Sequence, residues 1–132
     1  MQKTIMVGLL AGVLMTIVGW ALNFVFNALF PSFQAIYTDT NIFLPMDEGR
    51  GLIFFIFPFV LGIALAWLYR KMSHENQDIC NFVWLFFVVA ILPPFFINVG
   101  AFNLPVAMIV TWSVSMFLEV MVAAALFRKM LR

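Results

Sequence analysis

The feature that most constrains this chain is a run of 40 residues, Ile79 to Leu118, that contains no Asp, Glu, Lys or Arg. A single straight helix of that length would measure about 60 Å, twice the roughly 30 Å thickness of the hydrocarbon core of a bilayer. The run must therefore fold back on itself. It predicts two membrane-spanning helices joined by a short turn.

The turn between these two helices is predicted at residues 98–105. Gly100 can leave the helical region, Asn103 is a natural N-cap, and Pro105 suits the first turn of the next helix. The alternative is a turn at Pro93-Pro94. It would leave a first segment of only 14 residues, which is short for a membrane span.

Two more apolar stretches lie before this run, so the chain contains four candidate spans. Apolar types make up 65% of the sequence, charged types 10%, and the mean hydropathy is +1.09. A soluble domain is about 45–50% apolar and about 25% charged, so these values exclude a soluble enzyme and a nucleic-acid-binding domain. We predict an all-α membrane protein, a single domain over residues 1–132. Its four transmembrane helices form an up-down bundle, with spans at about 5–30, 51–69, 79–99 and 105–127.

The basic residues predict the orientation of the bundle, because Lys and Arg concentrate in cytoplasmic loops. Only Arg50 lies at the end of the bundle that holds the loop 31–50. The other six lie at the end that holds both termini and the loop 70–78: Lys3, Arg70, Lys71, Arg128, Lys129 and Arg132. This bias predicts a multipass protein of the plasma (inner) membrane with both termini cytoplasmic, an outer loop at 31–50 and a cytoplasmic loop at 70–78.

Two helix starts can be predicted in the loops. In the outer loop, Ser32 is a candidate cap for a short helix that lies at the membrane interface. In the cytoplasmic loop, either Asp78 or Asn76 is a candidate cap for the third span.

A stripe of small and polar residues runs along the first span. At about 100° per residue its members fall within an arc of about 100°. Small residues let a neighbouring backbone approach closely, and amide side chains can bond across helices. The stripe therefore predicts a helix-packing face, with a substrate-lining face as the alternative: Gly8, Gly12, Thr16, Gly19, Asn23 and Asn27.

Glu119 is the one ionisable residue deep inside a span. Ser115 and Thr111 precede it by four and eight residues, so the three form a candidate polar site inside the membrane. A charge at that depth costs a few kcal/mol, which makes Glu119 a functional hypothesis by default. Three interpretations remain open: a neutral glutamic acid bonded to a neighbouring helix, a proton-coupling site, or a contact with a partner subunit.

Prolines inside the spans predict helix kinks at Pro58, Pro93 and Pro94, because each one removes a backbone donor. The carbonyl groups that they free need partners in lipid. We expect nearby polar side chains, including Thr111 and Ser113, to supply them. The alternative is a small vestibule open to the outside.

The remaining polar residues indicate no cofactor or metal. The chain has one cysteine, Cys80, and one histidine, His74, and their spacing matches no metal-ligand pattern. We expect a structural or accessory protein without enzymatic activity. Its expected partners are the lipid bilayer and other membrane subunits or further copies of itself, with no nucleic acid among them. The alternative is a small transporter or channel with a polar pathway through Glu119.

Overall fold

A computed structural model of the chain describes residues 1–72 and 78–131. Within these ranges the protein is helical and contains no β-strand. The prediction of an all-α protein with four transmembrane helices is confirmed. Four helices are long and apolar enough to cross a membrane: Gln2–Leu29, Glu48–Lys71, Ile79–Ala101 and Val106–Met130.

The first span is α1, Gln2–Leu29, and it is followed by a short helix, α2, Ser32–Tyr37. The second span is α3, Glu48–Lys71. The third span consists of α4, Ile79–Phe86, a π-helical turn at Phe87–Ile91, and α5, Leu92–Ala101. The fourth span is α6, Val106–Met130.

Aspartate side chains cap the second and third spans. Asp47 accepts a hydrogen bond from the backbone N–H of Arg50, and this cap starts α3 three residues before the predicted Gly51. Asp78 accepts from the backbone N–H of Cys80, which confirms Asp78 as the cap of α4. The other candidate cap, Asn76, lies outside the described residues.

The turn between the third and fourth spans lies in the predicted region, at residues 102–105, but two details differ. Gly100 stays helical, and the N-cap of α6 is Pro105 rather than Asn103. The proline explains the second difference. A residue that precedes proline is held out of the helical region, so Leu104 cannot be part of α6.

The third span continues through Pro93-Pro94, so the alternative turn at this position is wrong. The N–H of Leu92 bonds to the carbonyl oxygen of Phe87, five residues earlier. Because neither proline has an N–H, the regular i to i−4 ladder is interrupted here. The wider π-helical turn just before the prolines lets the helix continue.

The short helix α2 forms as predicted, but Ser32 is its first residue and makes no capping bond. The N-cap is Pro31, whose backbone is already helical with φ of −57°. A hydrogen bond from Trp112 Nε1 to Tyr37 Oη, 2.6 Å long, joins this helix to α6. The ring of Phe43 packs against both partners, at 5.6 Å from Tyr37 and 6.2 Å from Trp112.

The four spans alternate in direction, and α1 lies between α3 and α6. We call the end of the bundle that holds Met1 and Met130 the terminal end, and the end that holds α2 the loop end. At the terminal end the rings of Tyr69, Phe82 and Phe127 meet with centroids 5.3 to 6.2 Å apart. All three side chains are fully buried, so they close this end of the bundle.

The loop end is packed less tightly than the terminal end. In α3, all six residues from Leu52 to Phe57 are exposed, and α5 contains no buried residue. The main core cluster instead lies nearer the terminal end: Val7, Ala11, Met15, Leu65, Ala66, Tyr69, Phe82, Val83, Val120, Ala123, Ala124 and Phe127. The bundle is therefore packed more tightly at the terminal end, although α6 also buries Met108, Ile109 and Thr111 toward the loop end.

Candidate functional site

Glu119 lies in the middle of α6, 13 residues after Val106 and 11 before Met130. At 1.5 Å per residue, it is about 20 Å from the loop end of this helix and about 16 Å from the terminal end. Its side chain is partly buried and points at α1. A Cβ atom placed on Gly19 would lie only 2.8 Å from Glu119 Oε1. The carboxyl group occupies space that exists because residue 19 has no side chain.

A cleft of about 460 Å³ lies between α1, α3 and α6 and reaches Glu119. It extends to Gly51 in the first turn of α3 at the loop end. The walls are mostly aromatic and aliphatic, with few polar groups: Met15, Thr16, Gly19, Trp20, Gly51, Phe54, Phe55, Phe57, Pro58, Met116 and Glu119.

The cleft opens on the side of the bundle and ends blindly. Trp20 is 69% exposed and Phe54 is 66% exposed, and both lie within spanning helices. In a membrane such residues face lipid or another protein. Toward the terminal end the space beyond Glu119 is filled by the buried side chains of the core, beginning with Met15 and Val120. The core cluster consists of aliphatic and aromatic side chains, and at the terminal end the buried hydroxyl of Thr4 accepts a hydrogen bond from Arg70.

The two polar side chains of the cleft differ in how they are bonded. The hydroxyl of Thr16 donates to the carbonyl oxygen of Gly12 in its own helix, at 2.9 Å. The carboxyl group of Glu119 has no hydrogen-bond or ion-pair partner among the described residues. No bond from Glu119 to a neighbouring helix is present among the described residues, and its three interpretations stay predictions. A carboxyl group without a partner at this depth is costly.

The predicted polar site does not form a continuous lining. Ser115 is partly buried and Thr111 is buried, but neither lines the cleft with Glu119. Thr111 donates to the carbonyl oxygen of Met108. The geometry of the helix explains the separation. Four residues turn an α-helix by about 400°, so each step drifts about 40° and Thr111 points about 80° away from Glu119.

The stripe on α1 divides into three parts. Gly8 and Gly12 meet the backbone of α3, where a Cβ atom would lie 2.5 Å from Ile63 Cα and 2.7 Å from Phe59 Cα, respectively. Thr16 and Gly19 line the cleft. The amide of Asn27 donates to Asn23 within α1, at 3.1 Å, and neither side chain bonds a described residue of another helix.

The prolines are placed differently from one another. Pro58 lines the cleft, whereas Pro93 and Pro94 are exposed on α5. The expectation that polar side chains bond the carbonyl groups freed by prolines is wrong for Thr111 and Ser113. Ser113 bonds the carbonyl oxygen of Ile109, and Thr111 likewise bonds its own helix. Hydroxyl side chains in helices find these i−3 and i−4 carbonyls first, because they are nearest. The cleft lies beside Pro58, and the alternative of a vestibule open to the outside stays a prediction.

Sequence reasoning missed Gly62, the residue of α3 that faces the stripe. A Cβ atom at Gly62 would collide with the carbonyl oxygen of Gly8 and lie 2.9 Å from the backbone nitrogen of Gly12. The available signal was an isolated glycine inside an apolar helix, which often marks a close backbone approach.

The described residues contain no group of three or more His, Cys, Asp or Glu that could hold a metal ion. His74 lies outside them. Comparison with protein-family models, with curated proteins and with solved structures finds no match for this chain.

Proposed function

We propose that this membrane protein is an accessory subunit without enzymatic activity, and that it recognises another membrane protein through the cleft between α1, α3 and α6. The observation that carries the proposal is the carboxyl group of Glu119, which lies at mid-membrane depth in an open cleft and has no partner among the described residues. Ionisable residues inside membranes are almost always paired or face water. A second protein could supply the missing partner.

The shape of the cleft supports recognition over passage. A pathway for a solute needs polar groups on both sides of its binding site, whereas the described core cluster between Glu119 and the terminal end is apolar, with the buried Thr4 only in the first turn of α1. The lateral opening, beside Trp20 and Phe54, faces the region where another transmembrane helix would lie. The chain also buries little of α3 and α5 at the loop end, which leaves room for a neighbour.

Purification from its native membrane in a mild detergent tests this proposal. We expect the protein to elute with at least one other membrane protein in a fixed stoichiometry, measured by native mass spectrometry. The exposed-face variant Ile17→Ala serves as the control and should retain the complex, because Ile17 is exposed and does not line the cleft. A protein that elutes only as a monomer under these conditions would contradict an accessory role.

A second candidate function is supported by one specific observation. The cleft reaches Glu119 from Gly51 at the loop end, as expected for the entrance of a small transporter that uses this carboxyl group for proton coupling. This function requires a second conformation in which the terminal end opens. Flux in proteoliposomes that responds to a proton gradient and is abolished by Glu119→Gln would favour transport over the accessory role.

A further inference from the structure

We infer that the cleft takes a transmembrane helix of a different protein that carries a lysine or arginine at mid-membrane depth, and that this basic group pairs with Glu119. The inference rests on the proposed accessory function and specifies the partner. It begins from the single ionisable side chain in the cleft, which is acidic and has no partner in the described chain.

The position of Glu119 sets the depth of the basic group. It lies about 20 Å from one end of α6 and about 16 Å from the other, so both ends of the span are far beyond the reach of a side chain. A partner must therefore hold its positive charge inside the hydrocarbon core. Burying one charge there is costly, and a complementary pair offsets that cost for both chains.

A second copy of this chain cannot be the source of the basic group. The six described Lys and Arg residues lie outside the spans or in their terminal turns, with Arg50 at the loop end and the other five at the terminal end. The seventh, Arg132, comes two residues after Met130 in the sequence. No orientation of a second copy that keeps its spans in the membrane brings one of them to the depth of Glu119. The partner is therefore a different protein.

The residues around Glu119 suit a helix better than a small molecule. Thr16 is small, and Gly51 has no atom within 4 Å of the position where a Cβ would lie, so another backbone can approach the cleft at these positions. The exposed rings of Trp20 and Phe54 flank the opening and provide an apolar surface for the side chains next to the basic residue.

The test uses the full chain in phosphatidylcholine vesicles and synthetic leucine-rich transmembrane peptides labelled for energy transfer. One peptide has a lysine at its centre, and the control peptide has methionine there. We expect the lysine peptide to bind about tenfold more tightly, in line with polar pairs measured between membrane helices. Glu119→Gln should abolish this preference without lowering the melting temperature of the protein.

A matched variant tests whether the preference for lysine requires a carboxyl group inside the cleft or only a carboxyl group at the same depth. Glu119→Met combined with Met121→Glu keeps the composition and moves the carboxyl group by only about 3 Å along the axis, to an exposed position about 200° around α6. We expect this double variant to lose the preference for lysine. If it retains the preference, a site in the cleft is excluded.

Other outcomes would also overturn the inference. Equal binding of the lysine and methionine peptides would exclude pairing with a basic helix. Glu119-dependent binding of tetraphenylphosphonium without binding of the lysine peptide would identify a small-cation site instead. Self-association that requires Glu119 would identify a second copy as the occupant. A native complex that survives Glu119→Gln would leave the accessory function standing and remove only this inference.

Discussion

Three glycines set the distance between α1 and α3 by leaving no room for even a methyl group. Gly8 and Gly12 on α1 face Gly62 on α3, and a Cβ atom on any of the three would meet backbone atoms of the opposite helix. Backbone cannot move aside as a flexible side chain can. In a membrane, where apolar burial gives little driving force, such close packing is a main source of helix association.

Gly62→Ala should therefore destabilise the bundle. The added methyl group would push α1 and α3 apart, and overpacking of this kind costs about 1–3 kcal/mol. Thermal unfolding in detergent measures the effect. Gly100→Ala is the matched control, because a Cβ atom there has no atom within 4 Å, and alanine is the better helix former. Equal melting temperatures for the two variants would mean that the close approach of α1 and α3 contributes nothing to stability.

We predict that Glu119 lowers the stability of the isolated chain. Its carboxyl group has no partner in the described residues, so Glu119→Leu removes a polar group from the membrane without breaking a bond. In the purified chain we expect Glu119→Leu to have the same melting temperature as the parent or a higher one. The melting temperature of Glu119→Gln should lie between those of the parent and Glu119→Leu. Replacing a buried side chain of the core, as in Val120→Ala, should lower it. A clear loss of stability in Glu119→Leu would reveal a structural bond to Glu119.

At the scale of helices, hydropathy was sufficient to predict where the four spans lie. The residues at which the helices begin and end depend instead on local hydrogen bonds. The 40-residue uncharged run had to fold back, and it does so at residues 102–105. The start of α3 could not be predicted from hydropathy, because Asp47 caps three polar or small residues that precede the apolar stretch. The cleft could not be predicted because it depends on how α1, α3 and α6 diverge, which no single helix encodes.

We predict that one side-chain pair, Tyr37 and Trp112, fixes the segment between α1 and α3 against α6. Trp112 Nε1 donates to Tyr37 Oη, and both rings pack on Phe43. Trp112→Phe keeps an aromatic ring but removes the donor, which should cost about 1 kcal/mol. Hydrogen exchange of the backbone amides in residues 38–46 should then speed up about fivefold, with little change in the rest of the chain. The exposed Trp84→Phe is the control. Unchanged exchange in Trp112→Phe would show that packing alone holds the segment.

For the whole molecule, the contrast between its two ends links stability to recognition. The terminal end has a closed apolar core with the rings of Tyr69, Phe82 and Phe127. Two polar contacts between elements also lie at this end. Arg70 donates to Thr4, and Arg128 pairs with Asp78 at 3.6 Å. These contacts can hold the bundle together while the loop end stays open. The open half can then accept a partner without unfolding the chain.

The orientation of this asymmetry across the membrane remains a prediction, and the one cysteine provides a direct test. Five of the six described Lys and Arg residues lie at the terminal end, which predicts that this end is cytoplasmic. Cys80 is exposed near the terminal end of α4. A maleimide that cannot cross membranes should label it only after intact cells are permeabilised. In Cys80→Ser combined with Thr40→Cys, the thiol moves to an exposed position between α2 and α3, and intact cells should be labelled at once. The reverse pattern would place both termini outside and the loop end, with Gly51, toward the cytoplasm.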